Sequence, residues 1–334
     1  MTFVRFPSLP LASALCLFAL TSSACSTDPG EDEDESTGEE HSEGDSATST
    51  ADTGEDDELN GECALVDRVG LFSVVHEPDY SAVDGEISNG VIPTAVLEET
   101  VAEGGCRLLK RENPFCDPPC SAGEVCTQEG TCIAYPERQD TGTITVEGLD
   151  VDVVMEPRAD KRYFETELPQ PAFSPGGIIR LTSTGGEVGP LSLSGRGFAP
   201  IELDGDMWTI AEGQSTTVNW VPEPGGEAKF YLSINIDQHG NSPSTLVCEV
   251  EDTGSLVVPA AIIDALLESG TSGFPMGHAY RRTVDSVDAG AGCIEFQVRS
   301  HVSVELSVAG HTPCNGDGEC PDGLTCDIMN QTCV

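Results

Sequence analysis

The spacing of the cysteines constrains this 334-residue chain more than any other feature of its sequence. There are 14 cysteines, and the twelve beyond residue 62 fall along the chain in groups of two, four, two and four. The groups are Cys63 and Cys106; Cys116, Cys120, Cys126 and Cys132; Cys248 and Cys293; and Cys314, Cys320, Cys326 and Cys333. Both groups of four contain the pattern C-x2-G-x2-C, which makes them an internal repeat. Each copy has too few apolar residues for a core of its own, so we expect disulfides to stabilise it.

Three pairings are possible within each group of four, and the spacing does not choose among them. A zinc site made of four thiolates is the alternative interpretation. Neither group has a pair of C-x2-C motifs or contains a histidine, which favours disulfides. Outside the groups of four, we expect one bond between Cys63 and Cys106 and another between Cys248 and Cys293. The second bond would join the strands of a sandwich, with Trp220 packed against it.

The first 24 residues have the features of an export signal, with one positive charge at Arg5, an apolar run from Leu9 to Leu20 and small residues at 22–24. Small residues directly before Cys25 resemble the lipobox of bacterial lipoproteins, in which that cysteine carries acyl chains. An ordinary secretory cleavage is the alternative, since Ser22 stands where a lipobox usually has leucine. Removal of Cys16 with the signal leaves 13 cysteines, an odd number. We therefore predict lipid attachment at Cys25, which leaves an even set of twelve.

Residues 26–62 contain 16 Asp or Glu and no Lys or Arg. Such a segment cannot bury apolar surface and its charges repel, so the sequence predicts a disordered acidic tether. The net charge of −43 excludes binding of nucleic acid or anionic lipid through a basic surface. Beyond residue 62 the net charge is still −28, from which we expect weak, diffuse calcium binding. The acidic loops at 204–206 and 317–319 do not space their oxygens as a specific calcium site requires.

From residue 142 onward, short β-rich runs recur between turns that contain Gly and Pro. The pattern predicts a mainly β fold, an antiparallel β-sandwich that is immunoglobulin-like in outline, with two small disulfide-rich modules and one short helix at 259–267. The predicted divisions of the chain are a signal peptide at 1–24, a lipidated cysteine and tether at 25–62, a small β-rich segment at 63–115, a cysteine-rich module at 116–136, the β-sandwich at 141–311 and a C-terminal cysteine-rich module at 314–334.

A search of the sequence for chemistry finds no complete catalytic or cofactor-binding motif. His76-Glu77 is not followed by the second histidine of a zinc-binding H-E-x-x-H helix, and Gly195-Arg196-Gly197 lacks the third glycine of a dinucleotide site. The other histidines beyond the tether are His239, His278, His301 and His311. Surface or strand positions are the plain interpretation of these histidines, and folded proximity of two of them with an acid is the alternative.

These observations predict no catalytic residue, no metal site and no cofactor. The function they favour is that of a non-enzymatic cell-envelope protein with a binding or structural role, whose partner is a surface protein or a glycan. The alternative is an exported hydrolase or a calcium-dependent carbohydrate-binding protein that uses the acidic loops.

Several stretches of the sequence are similar to uncharacterised myxobacterial lipoproteins. They are NPFCDP at 113–118, TITVEGL at 143–149 and the stretch from Cys248 to Ala260. The C-terminal module, with Asp317, Pro321 and Gly323, resembles the small cysteine-rich modules of myxobacterial surface proteins. The resemblance implies a fold and a location in the cell envelope but no reaction. Ser26 after the lipid-bearing cysteine resembles the pattern of lipoproteins that are released to the outer membrane, which is the location we predict.

Overall fold

A computed structural model describes residues 59–111, 115–223, 228–237 and 244–334. Eleven strands form one large sheet. In spatial order its main path is β10 (Tyr163–Glu165), β2 (Ser81–Ser88), β1 (Arg68–His76), β19 (Cys293–Val308), β18 (Met276–Asp288), β15 (Lys229–Asn235), β16 (Ser244–Glu251), β4 (Cys106–Lys110) and β3 (Glu98–Glu103). Two further strands complete it, β7 (Arg138–Gln139) beside β2 and β13 (Met207–Ile210) beside β19.

Smaller elements pack against this sheet or form the cysteine-rich modules. A four-stranded sheet has the order β12 (Ser192–Arg196), β11 (Ile178–Ser183), β8 (Ile144–Glu147) and β9 (Val153–Met155), and three two-stranded pairs are β14 (Thr216–Asn219) with β17 (Ser255–Val258), β5 (Glu124–Cys126) with β6 (Cys132–Ala134), and β20 (Cys326–Asp327) with β21 (Thr332–Cys333). The helix α1 (Ala260–Leu267) confirms the prediction, with Pro259 as its N-cap. A proline fits there because the first helical N–H groups have no intrahelical acceptor.

The hairpin of β18 and β19 is the longest feature of the large sheet. The two strands pair without interruption from Met276 opposite Glu305 to Asp288 opposite Cys293. On its other edge β19 pairs in parallel with β1 along its first half and with β13 at its end. These two pairings depart from the antiparallel arrangement that we predicted. Strands that are far apart in sequence need no tight turn between them, so the chain is free to pair them in parallel.

Two apolar cores lie on one side of the large sheet, which confirms the prediction of a sandwich. The four-stranded sheet covers one half of it, around Phe72, Phe296 and Leu181. The pair β14–β17 and the helix cover the other half, around Leu232 and Ile263. Apolar and polar residues alternate along many of these strands. Because successive side chains of a strand point to opposite faces, the apolar ones collect on one side of the sheet.

Disulfides join all twelve cysteines beyond residue 62, which confirms the prediction of disulfides. Within the modules the first cysteine pairs with the third and the second with the fourth, as the bonds Cys116–Cys126, Cys120–Cys132, Cys314–Cys326 and Cys320–Cys333. The repeat in sequence is therefore a repeat in connectivity. The sulfur atoms that a zinc site would use are all engaged in these bonds.

The two pairings that we expected outside the modules are wrong. The bonds are Cys63–Cys293 and Cys106–Cys248, in place of Cys63–Cys106 and Cys248–Cys293. Cys106 and Cys248 are register partners on the neighbouring strands β4 and β16. The pairing of two strands that are distant in sequence therefore decides which sulfur atoms meet.

Two of the predicted boundaries also need correction. Residues 59–62 were assigned to the disordered tether, but Asn60 donates two hydrogen bonds to the carboxylate of Asp285, at 3.0 and 3.1 Å. The segment 63–115 was predicted to be separate from the sandwich, but its strands β1 to β4 belong to the same sheet as β15 to β19. β1 pairs with β2 and β3 with β4 inside the segment, but β1 also pairs with β19 and β4 with β16, which makes the segment part of the larger sheet. The predicted signal peptide, Cys25 and the rest of the tether lie outside the described residues.

Trp220 is a core residue, as we predicted, but the Cys248–Cys293 bond against which we expected it to pack does not form. Its ring stacks on Phe230, with centroids 3.6 Å apart and planes 6° from parallel. Its indole N–H donates to the carboxylate of Asp252 at 2.5 Å. None of the helical segments in the part of the chain that the structure describes has the length and apolar character needed to cross a membrane.

Candidate functional site

The face of the large sheet that points away from the two cores carries a set of polar and aromatic side chains. We call it the polar face. Its central members are His278, Tyr280 and Arg282 of β18, Arg299, His301 and Ser303 of β19, Tyr231 and Ser233 of β15, Glu249 of β16 and Glu77, which follows β1. The register places these residues on one face, since Ser303 lies opposite His278, His301 opposite Tyr280, and Tyr280 opposite Tyr231.

Two histidines and a carboxylate form a connected group on this face. The Nδ1 atom of His278 lies 3.1 Å from the Nε2 atom of His301. The other ring nitrogen of His301 donates to the carboxylate of Glu77. Ser303 Oγ lies 3.2 Å from the same Nδ1 atom of His278. The fold therefore brings together two histidines that are distant in sequence and an acid. This is the second of the two interpretations that the sequence left open, and it replaces isolated positions for these two histidines.

The surroundings of His278 favour its neutral form over its protonated form. Burial lowers the pKa of His278, and the neighbouring His301 lowers it further. Glu77 opposes the shift and Arg299 adds to it. A neutral His278 retains one ring nitrogen with a lone pair, so the pair of imidazoles can share one hydrogen bond between them.

Aromatic rings support the histidines from the side. The ring of Tyr280 stacks on that of His301, with centroids 4.6 Å apart and planes 13° from parallel. The ring of Tyr231 lies 5.5 Å from that of Tyr280, measured between centroids. The guanidinium of Arg282 lies over the Tyr231 ring, 3.9 Å from its centroid. Burial raises the pKa of Tyr231 to about 12. Both tyrosines are therefore neutral ring systems held between cationic and aromatic neighbours.

An ion-pair network fixes the far end of the polar face. Arg282 donates to Glu249 at 2.5 Å and also to Glu62. Burial alone would raise the pKa of Glu249, but the charge and hydrogen bond of Arg282, together with Lys229, lower it below its usual value. A cavity of about 490 Å³ beside the network is lined by Glu62, Tyr231 and Glu249 among other residues. The carboxylates of Glu62 and Glu249 in its wall are already paired with arginines.

The acidic loops considered as calcium sites do not bring their oxygens together. Asp317 accepts a hydrogen bond from the backbone N–H of Cys326 at 2.8 Å, and Glu319 accepts one from that of Asn315 at 2.8 Å. These carboxylates therefore stabilise the backbone of the C-terminal module. Among the described residues, the groups of three or more Cys, His, Asp or Glu whose ligand atoms all lie within 4.8 Å of one another consist of disulfide-bonded cysteines.

The other histidines that the sequence singled out are engaged elsewhere. His76 is buried, its ring is 6.1 Å from that of Phe173, and burial lowers its pKa. His311 Nε2 bonds to the backbone oxygen of Gly273 at 2.8 Å. His239 lies outside the described residues. Sequence reasoning missed the group of Glu77, His278 and His301 because it did not predict β18 as a strand. The alternation of His278 and Tyr280 with Gly277 and Ala279 is the local signal for that strand, and Arg281 interrupts it.

Comparisons with known proteins add little to this site. No protein-family model matches the chain, and no curated protein sequence matches it. Among solved structures, a match to the FN1–FN3 domains of chicken CNTN1 covers 68% of this chain and 78% of that chain, at 9% sequence identity and a TM-score of 0.18. A TM-score this low supports no inference about fold or function.

Proposed function

We propose that this protein is a lipid-anchored, non-enzymatic protein of the bacterial outer membrane, of the type of the myxobacterial lipoproteins that its sequence resembles. The observation that carries the proposal is the pairing of the cysteines. All twelve cysteines in the described part of the chain bond to one another. Six disulfides are typical of an exported protein. They leave Cys25 without a partner among the described residues, as lipid attachment requires.

The polar face supports a binding role rather than a catalytic one. Ser303, His278, His301 and Glu77 form a chain of hydrogen bonds that resembles a nucleophile with its base. Ser303, however, lies within the regular ladder of β18 and β19. Serine hydrolases need backbone N–H groups that are free to bind an oxyanion, and a loop or helix N-terminus usually supplies them. A strand within a sheet is a poor source of such donors.

The partner that this face fits best is a protein of the cell surface. Tyrosine and arginine are enriched at protein interfaces, and this face contains the partly exposed side chains of Tyr231, Tyr280 and Arg299. A glycan would need a free aromatic face on which a sugar ring could stack. The ring of Tyr280 is covered by His301 and that of Tyr231 by Arg282, which favours a protein. Calcium is expected to bind only weakly and diffusely, through exposed carboxylates.

Replacement of Cys25 tests the anchoring. The Cys25→Ser variant is expected to appear in the soluble fraction of the envelope, while the unchanged protein requires detergent for its extraction. Each buried methylene of an acyl chain contributes about 0.8 kcal/mol, so several chains hold the protein firmly in the membrane. The measurement is fractionation together with the mass of the mature N-terminal peptide. A Cys314→Ser, Cys326→Ser double variant is the matched control, because it removes two cysteines far from the anchor and leaves the Cys63–Cys293 bond in place. An unmodified Cys25 in the unchanged protein would refute the proposal.

Site-specific photocrosslinking tests the binding surface. A photoreactive amino acid at position 303 or 305, both exposed on the polar face, is expected to give a discrete cross-linked protein in cells that produce this chain. The same amino acid at position 154, which is exposed on the four-stranded sheet, is the control and is expected to give none. Equal cross-linking from the two surfaces, or from neither, would contradict a partner at the polar face.

A further inference from the structure

We propose that His278 and His301 form a binding site for a divalent transition-metal ion, with Glu77 as the residue that positions His301. The site goes beyond the proposed function, since it holds whether or not the chain is anchored in a membrane. The preferred ions are those that suit imidazole ligands, Cu²⁺ and Zn²⁺.

The distance between the two ring nitrogens is the first argument. A tetrahedral ion with bonds of about 2.0–2.1 Å to nitrogen holds its ligand atoms about 3.3 Å apart. His278 Nδ1 and His301 Nε2 lie 3.1 Å apart. The two rings therefore need only a small movement to replace their mutual hydrogen bond with a shared ion.

The second argument is the proton on His301. An ionised carboxylate only accepts hydrogen bonds, so the contact with Glu77 places the proton of His301 on Nδ1. This leaves the lone pair of Nε2 directed at His278. A carboxylate on the outer nitrogen of a metal-binding histidine is a common arrangement, because it fixes the ring and makes it more basic. Glu77 is in this way a positioning residue and not a ligand.

The third argument concerns what keeps the rings in place. His278 and His301 are diagonal neighbours on β18 and β19, because His278 lies opposite Ser303 and His301 opposite Tyr280. Stacking on Tyr280 restrains the ring of His301. Binding an ion requires His278 to carry its proton on Nε2 instead of Nδ1, an exchange with solvent that leaves the imidazole neutral. Ser303 Oγ, 3.2 Å from His278 Nδ1, and water molecules are available for the remaining coordination positions.

Charge around the site allows a cation. The guanidinium of Arg299 lies 5.6 Å from the ring centroid of Tyr280 and opposes binding, but the carboxylate of Glu77 contacts His301 directly and acts more strongly on His278 than Arg299 does. The chain as a whole carries a net charge of −43, which raises the concentration of cations near its surface. The site therefore suits an ion that forms strong bonds to nitrogen, whereas Ca²⁺ prefers oxygen ligands.

Calorimetric titration of the full mature protein in detergent with Zn²⁺ and with Cu²⁺ tests the proposal. The solution contains about 0.15 M salt, which screens binding to exposed carboxylates. We expect one saturable site per chain, with tighter binding of Cu²⁺ than of Zn²⁺. His278→Ala and His301→Ala are expected to abolish the saturable site. Glu77→Gln is expected to weaken binding about 10- to 100-fold.

Two controls keep the result interpretable. His311→Ala removes a histidine elsewhere and is expected to leave the affinity unchanged. The electron paramagnetic resonance spectrum of Cu²⁺ on the unchanged protein is expected to show coupling to two imidazole nitrogens, which does not depend on whether a variant folds. Absence of a saturable site, a spectrum without nitrogen coupling, or equal binding by the His278→Ala, His301→Ala double variant would overturn the proposal.

Discussion

Replacing Arg281 with methionine is expected to lower the free energy of unfolding by about 3–5 kcal/mol. The side chains of Arg281 and Asp252 are only 2% and 3% exposed, and Nε of the arginine donates to the carboxylate at 2.8 Å. Arg281 also donates to the backbone oxygens of Ala199 at 2.8 Å and Val221 at 2.6 Å. The variant leaves a buried carboxylate without its cation and buried carbonyls without their donor, and each such group carries a desolvation cost. Urea unfolding, followed by tryptophan fluorescence, measures the loss.

A matched control separates the effect of burial from that of an ion pair as such. Arg138 donates to Glu86 at 2.7 Å, but the two side chains are 44% and 38% exposed. Arg138→Met is therefore expected to change the free energy of unfolding by less than about 1 kcal/mol. Adding Asp252→Asn to Arg281→Met is expected to recover part of the stability, because it removes the uncompensated charge. Similar losses in Arg281→Met and Arg138→Met would show that the buried network does not have the role assigned to it.

Several elements of this fold could be predicted from the sequence, whereas the strand that carries the buried Arg281 could not. One of the β-rich runs that the sequence predicts is Lys229–Ile236, and the strand is Lys229–Asn235. Apolar and polar residues alternate along it, and its apolar side faces a core. The helix at Ala260–Leu267 and the two cysteine-rich modules were also predicted. In each of these, local spacing predicts the element, although it leaves the pairing of the cysteines within the modules open.

β18 could not be recognised in this way, since its inward face contains Arg281, Thr283 and Asp285. These polar side chains are buried, and they are tolerated because distant parts of the chain supply hydrogen bonds. Asp285, for example, accepts from the backbone N–H of Ser194 at 2.9 Å. Without β18, the sequence predicts no strand pairing that would place His278 beside His301. The candidate metal site was therefore not predicted from the positions of the histidines in the sequence. Tertiary contacts stabilise β18 despite its polar inward face, and a single sequence does not display such contacts.

Removal of the bond between Cys63 and Cys293 is the second change with a large expected effect. This bond joins residues 230 apart in sequence, and the bond Cys106–Cys248 closes 142 of the residues between them. With that inner loop still closed, the effective loop is roughly 90 residues, for which the chain-entropy model gives about 4–5 kcal/mol. The Cys63→Ser, Cys293→Ser double variant is therefore expected to unfold at a markedly lower urea concentration. A Cys314→Ser, Cys326→Ser control opens a loop of only 12 residues, so a loss of about 3 kcal/mol is expected.

The Cys63–Cys293 bond also connects the proposed lipid anchor to the folded part of the chain, so its removal is expected to affect the anchoring. Cys63 lies where the acidic tether ends, and Cys293 begins β19, which pairs with three other strands of the large sheet. Any pull from a lipid at Cys25 reaches the fold through this connection, which the hydrogen bonds of Asn60, the hydrogen bond from the Cys63 N–H to Glu295 and the ion pairs of Glu62 reinforce. Limited proteolysis is expected to cut the double variant on the N-terminal side of residue 68, which separates the tether from the folded part of the chain. The unchanged protein is expected to resist cleavage there. Peptide mapping without reductant that linked Cys63 to Cys106 would contradict both the pairing and this route of attachment.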